Sequence, residues 1–484
     1  MNLQEPIHTR FGGAGNETCP ERNPNALAVA GWSSQLAALA VASLVVESLT
    51  GLWIYLAPFS VASQIQVILH TGGGLLLTVP CVVYQVRHLL TWRSQRPTAV
   101  MALGYLLVGM LTLCLASGLQ LTWQAAVGLN RSRTWGLVHL VSGIVSFALV
   151  AVHLILAYLR RGPTERQILA IGSASRAFAL RLTAWSGGSA AFVIAAVMAC
   201  PSPEVEFAPP DGYSLPQYAQ QFEEYRGSPF APSYARTQSG MLVDPTVLSR
   251  SESCGTPGCH TQILKEWQPS AHRFAAMNPP FRQVQKNFAA DREPAETRYC
   301  AGCHDPISLF AGAKDNLDLD LSSHAANEGI SCAVCHSISE VDQRGNADYV
   351  LTPPRKYIWE GTRGWRKLAS DFLIRAYPRQ HLADYDRNLL RTPEFCGTCH
   401  KQFIPEALNR FGLSAGQNQY DEWRNSHWHV DDPDRDLACR DCHMRLVPSS
   451  EDPGRGEAGD VRRSVGDGAH RHHGTIATNV FMPA

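Results

Sequence analysis

The pattern of apolar and polar positions divides the chain in two. Between residues 29 and 200 apolar runs follow one another almost without charge: Glu47 and Glu165 are the only acids, and lysine does not occur. From residue 201 onward charges and prolines are frequent, and regular periodicity is weak. The first stretch predicts five spans, at 29–57, 64–90, 99–124, 134–159 and 180–200. Each supplies the ~20 apolar residues that cross a hydrocarbon layer. All five are expected as helices, because lipid offers backbone amides and carbonyls no partner.

Arginines predict the orientation. Arg87, Arg93 and Arg96 follow the second span, and Arg160, Arg161, Arg166, Arg176 and Arg181 occupy the expected connection from the fourth to the fifth. Both connections are therefore expected on the cytoplasmic side; Arg131 and Arg133 count the other way and are outnumbered. An odd number of spans carries the C-terminal half across, into the periplasm if the membrane is a bacterial inner (cytoplasmic) membrane. Residues 1–28 read as a polar cytoplasmic tail, 29–200 as a multi-pass membrane domain, 201–250 as a proline-rich linker and 251–484 as a separate domain. The zero formal charge and 45% hydrophobic content average over this division. Neither a basic stripe nor a recognition motif is present, which argues against a nucleic-acid partner.

The last domain carries the densest chemistry. Cys300-Ala-Gly-Cys303-His304, Cys332-Ala-Val-Cys335-His336, Cys396-Gly-Thr-Cys399-His400 and Cys439-Arg-Asp-Cys442-His443 share one spacing, and Cys254-Gly-Thr-Pro-Gly-Cys259-His260 is longer by two residues. Two thiols at this separation reach the two vinyl groups of one porphyrin, while the next residue turns its imidazole onto the iron. Zinc would want ligand pairs converging in fours, not a histidine at a fixed offset after every second cysteine. Five covalent haem c groups are expected, with His260, His304, His336, His400 and His443 as proximal ligands. For the sixth position the expected residues are His272, His324, His381, His427 and His472, with His429 and His473 taken as surface residues and His470 as a further candidate. Full bis-histidine ligation makes such a domain a wire.

Ionisable residues inside spans are costly and mark function. Four histidines fall on two spans: His70 and His88 on the second, His139 and His153 on the fourth. Eighteen residues separate the first pair and fourteen the second, which at about 100° and ~1.5 Å per residue keeps each pair near one helix face at two depths. The two spans run parallel, so His70 with His139 and His88 with His153 are expected to clamp two haem b groups. Glycines near these ligands, Gly72 to Gly74 and Gly143, are expected either to let porphyrin approach the backbone or to let helices pack closely. Glu47 lies at about the depth of the His70 haem, where quinol oxidation must release protons; it is expected either to handle them or to be a helix-end carboxylate hydrogen-bonded to Ser48, Thr50 or a porphyrin-side group.

The segments Glu47-Ser-Leu-Thr-Gly-Leu-Trp53, His70-Thr-Gly-Gly-Gly74, Tyr84-Gln-Val-Arg-His88, His139-Leu-Val-Ser-Gly143 and Tyr158-Leu-Arg-Arg161 resemble the dihaem cytochrome b subunits of membrane hydrogenases and formate dehydrogenases, over residues 29–165. That resemblance implies exchange of electrons with quinone. Trp267-Gln-Pro-Ser-Ala-His272, His324-Ala-Ala-Asn-Glu-Gly-Ile-Ser-Cys332, Glu394-Phe-Cys-Gly-Thr-Cys-His400, Trp423-Arg-Asn-Ser426, Cys442-His-Met444 and His470-Arg-His472 resemble multihaem cytochromes c of the hydroxylamine oxidoreductase and tetrathionate reductase superfamily. The resemblance implies shared architecture more firmly than shared catalysis.

The expected fold class is thus an all-α membrane bundle of five transmembrane helices joined to a haem-packed multihaem cytochrome c domain of mainly short helices and loops. The expected function is electron transfer between the quinone pool and a periplasmic or outer-membrane carrier, with quinol oxidation as the direction and membrane lipid as surroundings; enzymatic status, as a quinol:cytochrome c-type oxidoreductase, stays open. The alternatives are a reductase or oxidase of a small nitrogen or sulfur compound at a five-coordinate c haem, and an electron-relay subunit of a larger respiratory or photosynthetic complex.

Overall fold

The structure is a computed structural model, and it describes residues 24–129, 132–160, 164–200, 207, 209–210, 213–314, 320, 322–432, 434–448 and 469–475. Most of the expected tail, Arg131, Arg161, and the linker residues Pro201, Pro203 and Gly212 lie outside the described residues. The chain forms two compact units: Met1–Leu56, Ile68–Leu119 and Thr134–Met198 in one, and Ala57–Val67, Gln120–Arg133 and Ala199–Ala484 in the other.

The first unit is built from helices α1 (Pro24–Ser33), α2 (Gln35–Leu56), α3 (Val61–Trp92), α4 (Ala99–Val127), α5 (Arg133–Leu159) and α6 (Glu165–Ala199). Five of them, α2 to α6, are long and apolar enough to cross a membrane. Small residues such as Ala37, Ala38, Ser117, Ser142 and Ser146 are buried between helices, where they permit close backbone approach. The hydroxyls of Thr50, Ser117 and Ser142 donate to carbonyls four residues back, on Val46, Leu113 and Val138. That leaves few polar atoms facing outward. Large apolar side chains on the outside, including Leu76, Leu180 and Phe192, suit a hydrocarbon surround.

Two boundaries differ from the hydropathy expectation. The first span is broken at Ser34, whose Oγ accepts from the Ala37 amide at 3.1 Å and so caps α2. The fifth helix begins at Glu165 rather than near 180, so Arg166, Arg176 and Arg181 lie on α6 and not in a connection. Helix formation needs only local hydrogen bonds and compatible residues, whereas hydropathy marks only the part that suits lipid; at 35 residues α6 is about 52 Å long, well beyond a ~30 Å hydrocarbon core.

Among its described residues the second unit combines short helices with three small sheets. Strands β1 (Arg236–Thr237), β2 (Ile338–Val341) and β3 (Tyr349–Leu351) form one sheet, in which β3 pairs parallel to β1 and antiparallel to β2. β4 (Lys401–Ile404) pairs with β5 (Ser414–Asn418), and β6 (Leu446–Pro448) with β7 (Ala469–Arg471). Phe230, Ala235, Leu248, Ile307, Phe310 and Leu351 are fully or almost fully buried together. Part of the segment expected as a linker is therefore core. Prolines stop it forming long helices but leave the apolar residues between them free to pack.

Candidate haem-binding centres

The four short motifs sit on single helical turns. Arg298–His304, Cys332–Ser337 and Cys439–His443 are helices that contain a whole motif, and Pro393–Gly397 carries the start of the remaining one. Positions i, i+3 and i+4 share a helix face, so both thiols and the imidazole point to one side. In the Cys396 motif the His400 amide donates to the Cys396 carbonyl at 2.9 Å. The widened first motif closes in the same way, since the His260 amide donates to the Cys254 carbonyl at 2.9 Å. Its two additional residues are taken up in a turn through Pro257 and Gly258, the latter at φ 80°, a conformation that favours glycine.

The histidines come together in facing pairs. A metal-bound imidazole nitrogen lies about 2.0 Å from the metal and about 1.1 Å from its own ring centre, so two axial imidazoles on one iron place their centres roughly 6 Å apart. In the second unit His260 faces His381 at 6.2 Å, His272 faces His400 at 6.3 Å, and His336 faces His473 at 6.3 Å. In the first unit His70 faces His139 at 6.0 Å and His88 faces His153 at 6.2 Å. Among the described residues no group of three or more His, Cys, Asp or Glu forms a bare-metal site. Imidazoles arranged two by two suit porphyrin iron.

Hydrogen bonds set the tautomers. A carbonyl only accepts, so Nδ1 of His336, 2.7 Å from the Tyr385 carbonyl, and Nδ1 of His473, 2.7 Å from the Arg471 carbonyl, both carry hydrogen. Nε2 of each ring is left as the metal-binding nitrogen. Burial keeps these rings neutral: helped by the facing His400, it lowers His272 to about 4. Burial with His260 and His336 lowers His381 to about 4, and burial with His336 lowers His473 to about 3. His304, His336 and His400 are also shifted down, burial being the largest cause in each.

Tertiary packing delivers the distal members. His272 follows the helix Thr261–Trp267 and is stitched to the third motif, because Trp267 Nε1 donates to the Ile330 carbonyl at 3.0 Å and the Ile330 amide donates to the His272 carbonyl at 2.9 Å. His381 lies on the helix Arg379–Tyr385, its amide 3.3 Å from Tyr357 Oη. Tyr357 in turn donates to the Tyr377 carbonyl at 2.7 Å and meets the ring of Phe59 at 4.9 Å. His473 arrives through the pairing of β7 with β6.

The remaining expected distal residues lie elsewhere. His324 is 62% exposed, with Nδ1 3.5 Å from Glu328; His427 is exposed beside Trp428; Nδ1 of His472 accepts from the Gly474 amide at 3.1 Å. His473, taken as a surface residue from sequence, is the one that faces His336. His470 is buried and bonded to Glu266 at 3.0 Å, and His429 Nδ1 lies 2.9 Å from Asp436. His304 has a phenyl ring, Phe281, stacked on it at 4.2 Å, and among the described residues no histidine ring faces it. His443 lies close enough to His400 to disfavour that residue's charged form.

In the first unit, glycines on neighbouring helices make room for the imidazoles. A Cβ at Gly51 of α2 would lie 3.1 Å from His70 Cε1, one at Gly118 of α4 2.9 Å from His139 Cε1, and one at Gly104 of α4 3.3 Å from His153 Cε1. Gly104 and Gly118 are fourteen residues apart, like His139 and His153, the match required of two antiparallel helices. The glycines singled out from sequence behave differently: Gly73 and Gly74 border Glu47, Gly143 borders Cys114, and Gly72 has no atom within 4 Å of a Cβ position. Glu47 places Oε2 2.9 Å from Nδ1 of His70.

The attachment thiols also come together across motifs. Cys254 is within hydrogen-bonding reach of Cys332, and Cys396 of Cys439. Cys303 Sγ lies 3.9 Å from the Cys399 carbonyl. Porphyrins held on such thiols would be close neighbours, as serial electron transfer requires. The second unit thus contains a c-type cytochrome domain, with a haem-based electron-transfer role. Residues 253–337, which include the first three motifs, match the family model for cytochrome c554 and c-prime. No curated protein and no solved structure matches the chain.

Proposed function

We propose that the chain carries electrons between the quinone pool and a periplasmic redox partner, through two b haems and five c haems, with quinol oxidation as the working direction. The observation that carries this is the set of five facing imidazole pairs at 6.0 to 6.3 Å, two among apolar helices and three beside the Cys-Cys-His motifs. The membrane is a bacterial inner membrane and the c domain is periplasmic. In support, the connections Ala57–Val67 and Gln120–Arg133 belong to the same compact unit as the C-terminal region, as five spans require.

The route follows from neighbouring segments. The haem on Cys254 and Cys259 is the port of the c chain, since His381 is held by Tyr357 against Phe59, and the Gly258 turn packs on Gly128 backbone to backbone. Phe59 and Gly128 lie in connections between spans, and Gln64, of the same compact unit, accepts from the Ile358 amide at 2.7 Å. From this port, the adjacency of Cys254 to Cys332 leads inward and that of Cys396 to Cys439 leads on. The test is reduction of the purified protein by a quinol analogue: b haems reduce first and c haems follow. Reduction of the c haems with the b haems left oxidised overturns the route.

A second reading rests on His304. A phenyl ring supplies no ligand, so the haem on Cys300 and Cys303 is suited to a five-coordinate iron that reduces or oxidises a small nitrogen or sulfur compound. Carbon monoxide binding by one c haem per chain, lost when Cys300 and Cys303 are both replaced by Ala, supports that reading; carbon monoxide inertness of all the c haems removes it.

A further inference from the structure

The geometry points to Glu47 as a positioning residue that holds His70 and lowers the potential of the haem between His70 and His139. This inference rests on the proposed b haems. Glu47 is the only acid in α2 to α5. A carboxylate among apolar helices is costly unless a partner holds it, and its partner here is one ring nitrogen: Glu47 Oε2 lies 2.9 Å from His70 Nδ1.

The surroundings fix which atom carries the proton. Thr50 Oγ1 is 3.1 Å from the same Nδ1, while its own hydroxyl is 2.8 Å from the Val46 carbonyl. With the hydroxyl hydrogen committed to that carbonyl, both oxygens facing Nδ1 act as acceptors. Nδ1 therefore bears the hydrogen, and Nε2 is the nitrogen left for iron. Two glycines allow the arrangement. A Cβ at Gly73 would come within 2.5 Å of Glu47 Oε1, and one at Gly51 within 3.1 Å of His70 Cε1.

The other ligand of the pair is treated differently: Nδ1 of His139 lies 3.0 Å from the Cys114 carbonyl, a neutral acceptor. The helices that carry the inner pair, α3 and α5, contain no carboxylate, and His88 has Tyr84 and Trp92 as ring neighbours. An anionic acceptor on Nδ1 makes the imidazole a stronger donor to iron through Nε2. The negative charge also favours ferric over ferrous haem in a medium that screens poorly. The first effect acts through His70 alone and the second falls with distance, so the haem on His70 is lowered more than the other, and a single side chain makes the two b haems unequal.

Redox titration of the full-length protein, with haem b first quantified by acid-acetone extraction, tests this in the wild type, Glu47→Gln and Glu47→Asp. In Glu47→Gln one b haem is expected to shift toward the ferrous form by about tenfold, 59 mV for one electron, with the second moving clearly less; Glu47→Asp, which keeps the anion, returns it toward wild type. If Glu47→Gln retains both b haems at wild-type potentials, the inference fails while the b-haem reading stands. If both haems move equally, the effect is not local to His70 and the inference also fails. Should Glu47→Gln lose a haem, Glu47→Asp decides: retention of two b haems with unequal potentials supports the role, and loss there too assigns Glu47 to folding instead. A wild-type protein with no extractable haem b overturns both the inference and the reading beneath it.

Discussion

The amide of His260 donates to the carbonyl of Cys254 at 2.9 Å, the relation that His400 and Cys396 make, also at 2.9 Å, in a motif two residues shorter. The widened loop therefore presents its imidazole from the same anchor as the shorter one. His381 faces His260 at 6.2 Å, so the first motif has the second imidazole that the proposed haem there requires. Replacing Cys254 and Cys259 together by Ser is expected to lower the haem that survives acid-acetone extraction from five per chain to four. Five retained haems remove the first motif from the set.

His473 and His472 are adjacent, yet only His473 faces His336. His473→Ala should open one c haem to carbon monoxide and give a high-spin signal in place of one low-spin signal. His472→Ala should leave the spectrum unchanged. A reversed result assigns the ligand to His472 and requires β7 to pair with β6 in another register.

Gly118 and Gly104 separate the two b sites experimentally. A side chain at Gly118 collides with His139, and one at Gly104 with His153. Gly118→Val should remove the His70/His139 haem alone, and Gly104→Val the His88/His153 haem alone, each lowering extractable haem b from two to one. Equal loss of both haems in either variant shows that the helices, not the imidazoles, feel the substitution.

Gly258 is constrained twice, by its φ of 80° and by the Gly128 backbone, only 2.6 Å from where its Cβ would lie. Gly258→Ala should cost about 1 kcal/mol locally and loosen the packing of the first motif. With quinol analogue as donor, stopped-flow should show b-haem reduction at the wild-type rate and slower c-haem reduction. Unchanged c-haem kinetics place the port at another haem.

Sequence alone determined whatever depends on composition and short spacing. Apolar runs sufficient for five long helices, and thiols at i and i+3 followed by histidine at i+4, are local properties that need no partner to be recognised. The separation of His70 from His88 and of His139 from His153 was also legible, because a regular helix converts residue number into angle and depth. Only tertiary structure decided which imidazoles meet. His381 reaches His260 through Tyr357, and His272 is tied to the third motif through Trp267 and Ile330; such contacts join segments far apart in the chain and leave no local pattern. His473 displaced His472 because strand pairing sets which neighbour turns inward, and a shift of one residue reverses the answer. Glu47 stood out in sequence as a lone carboxylate, but its engagement with Nδ1 of His70 depends on how α2 packs against α3. The role of Gly51, Gly104 and Gly118 was invisible for the same reason: the space a glycine leaves has meaning only when another helix fills it.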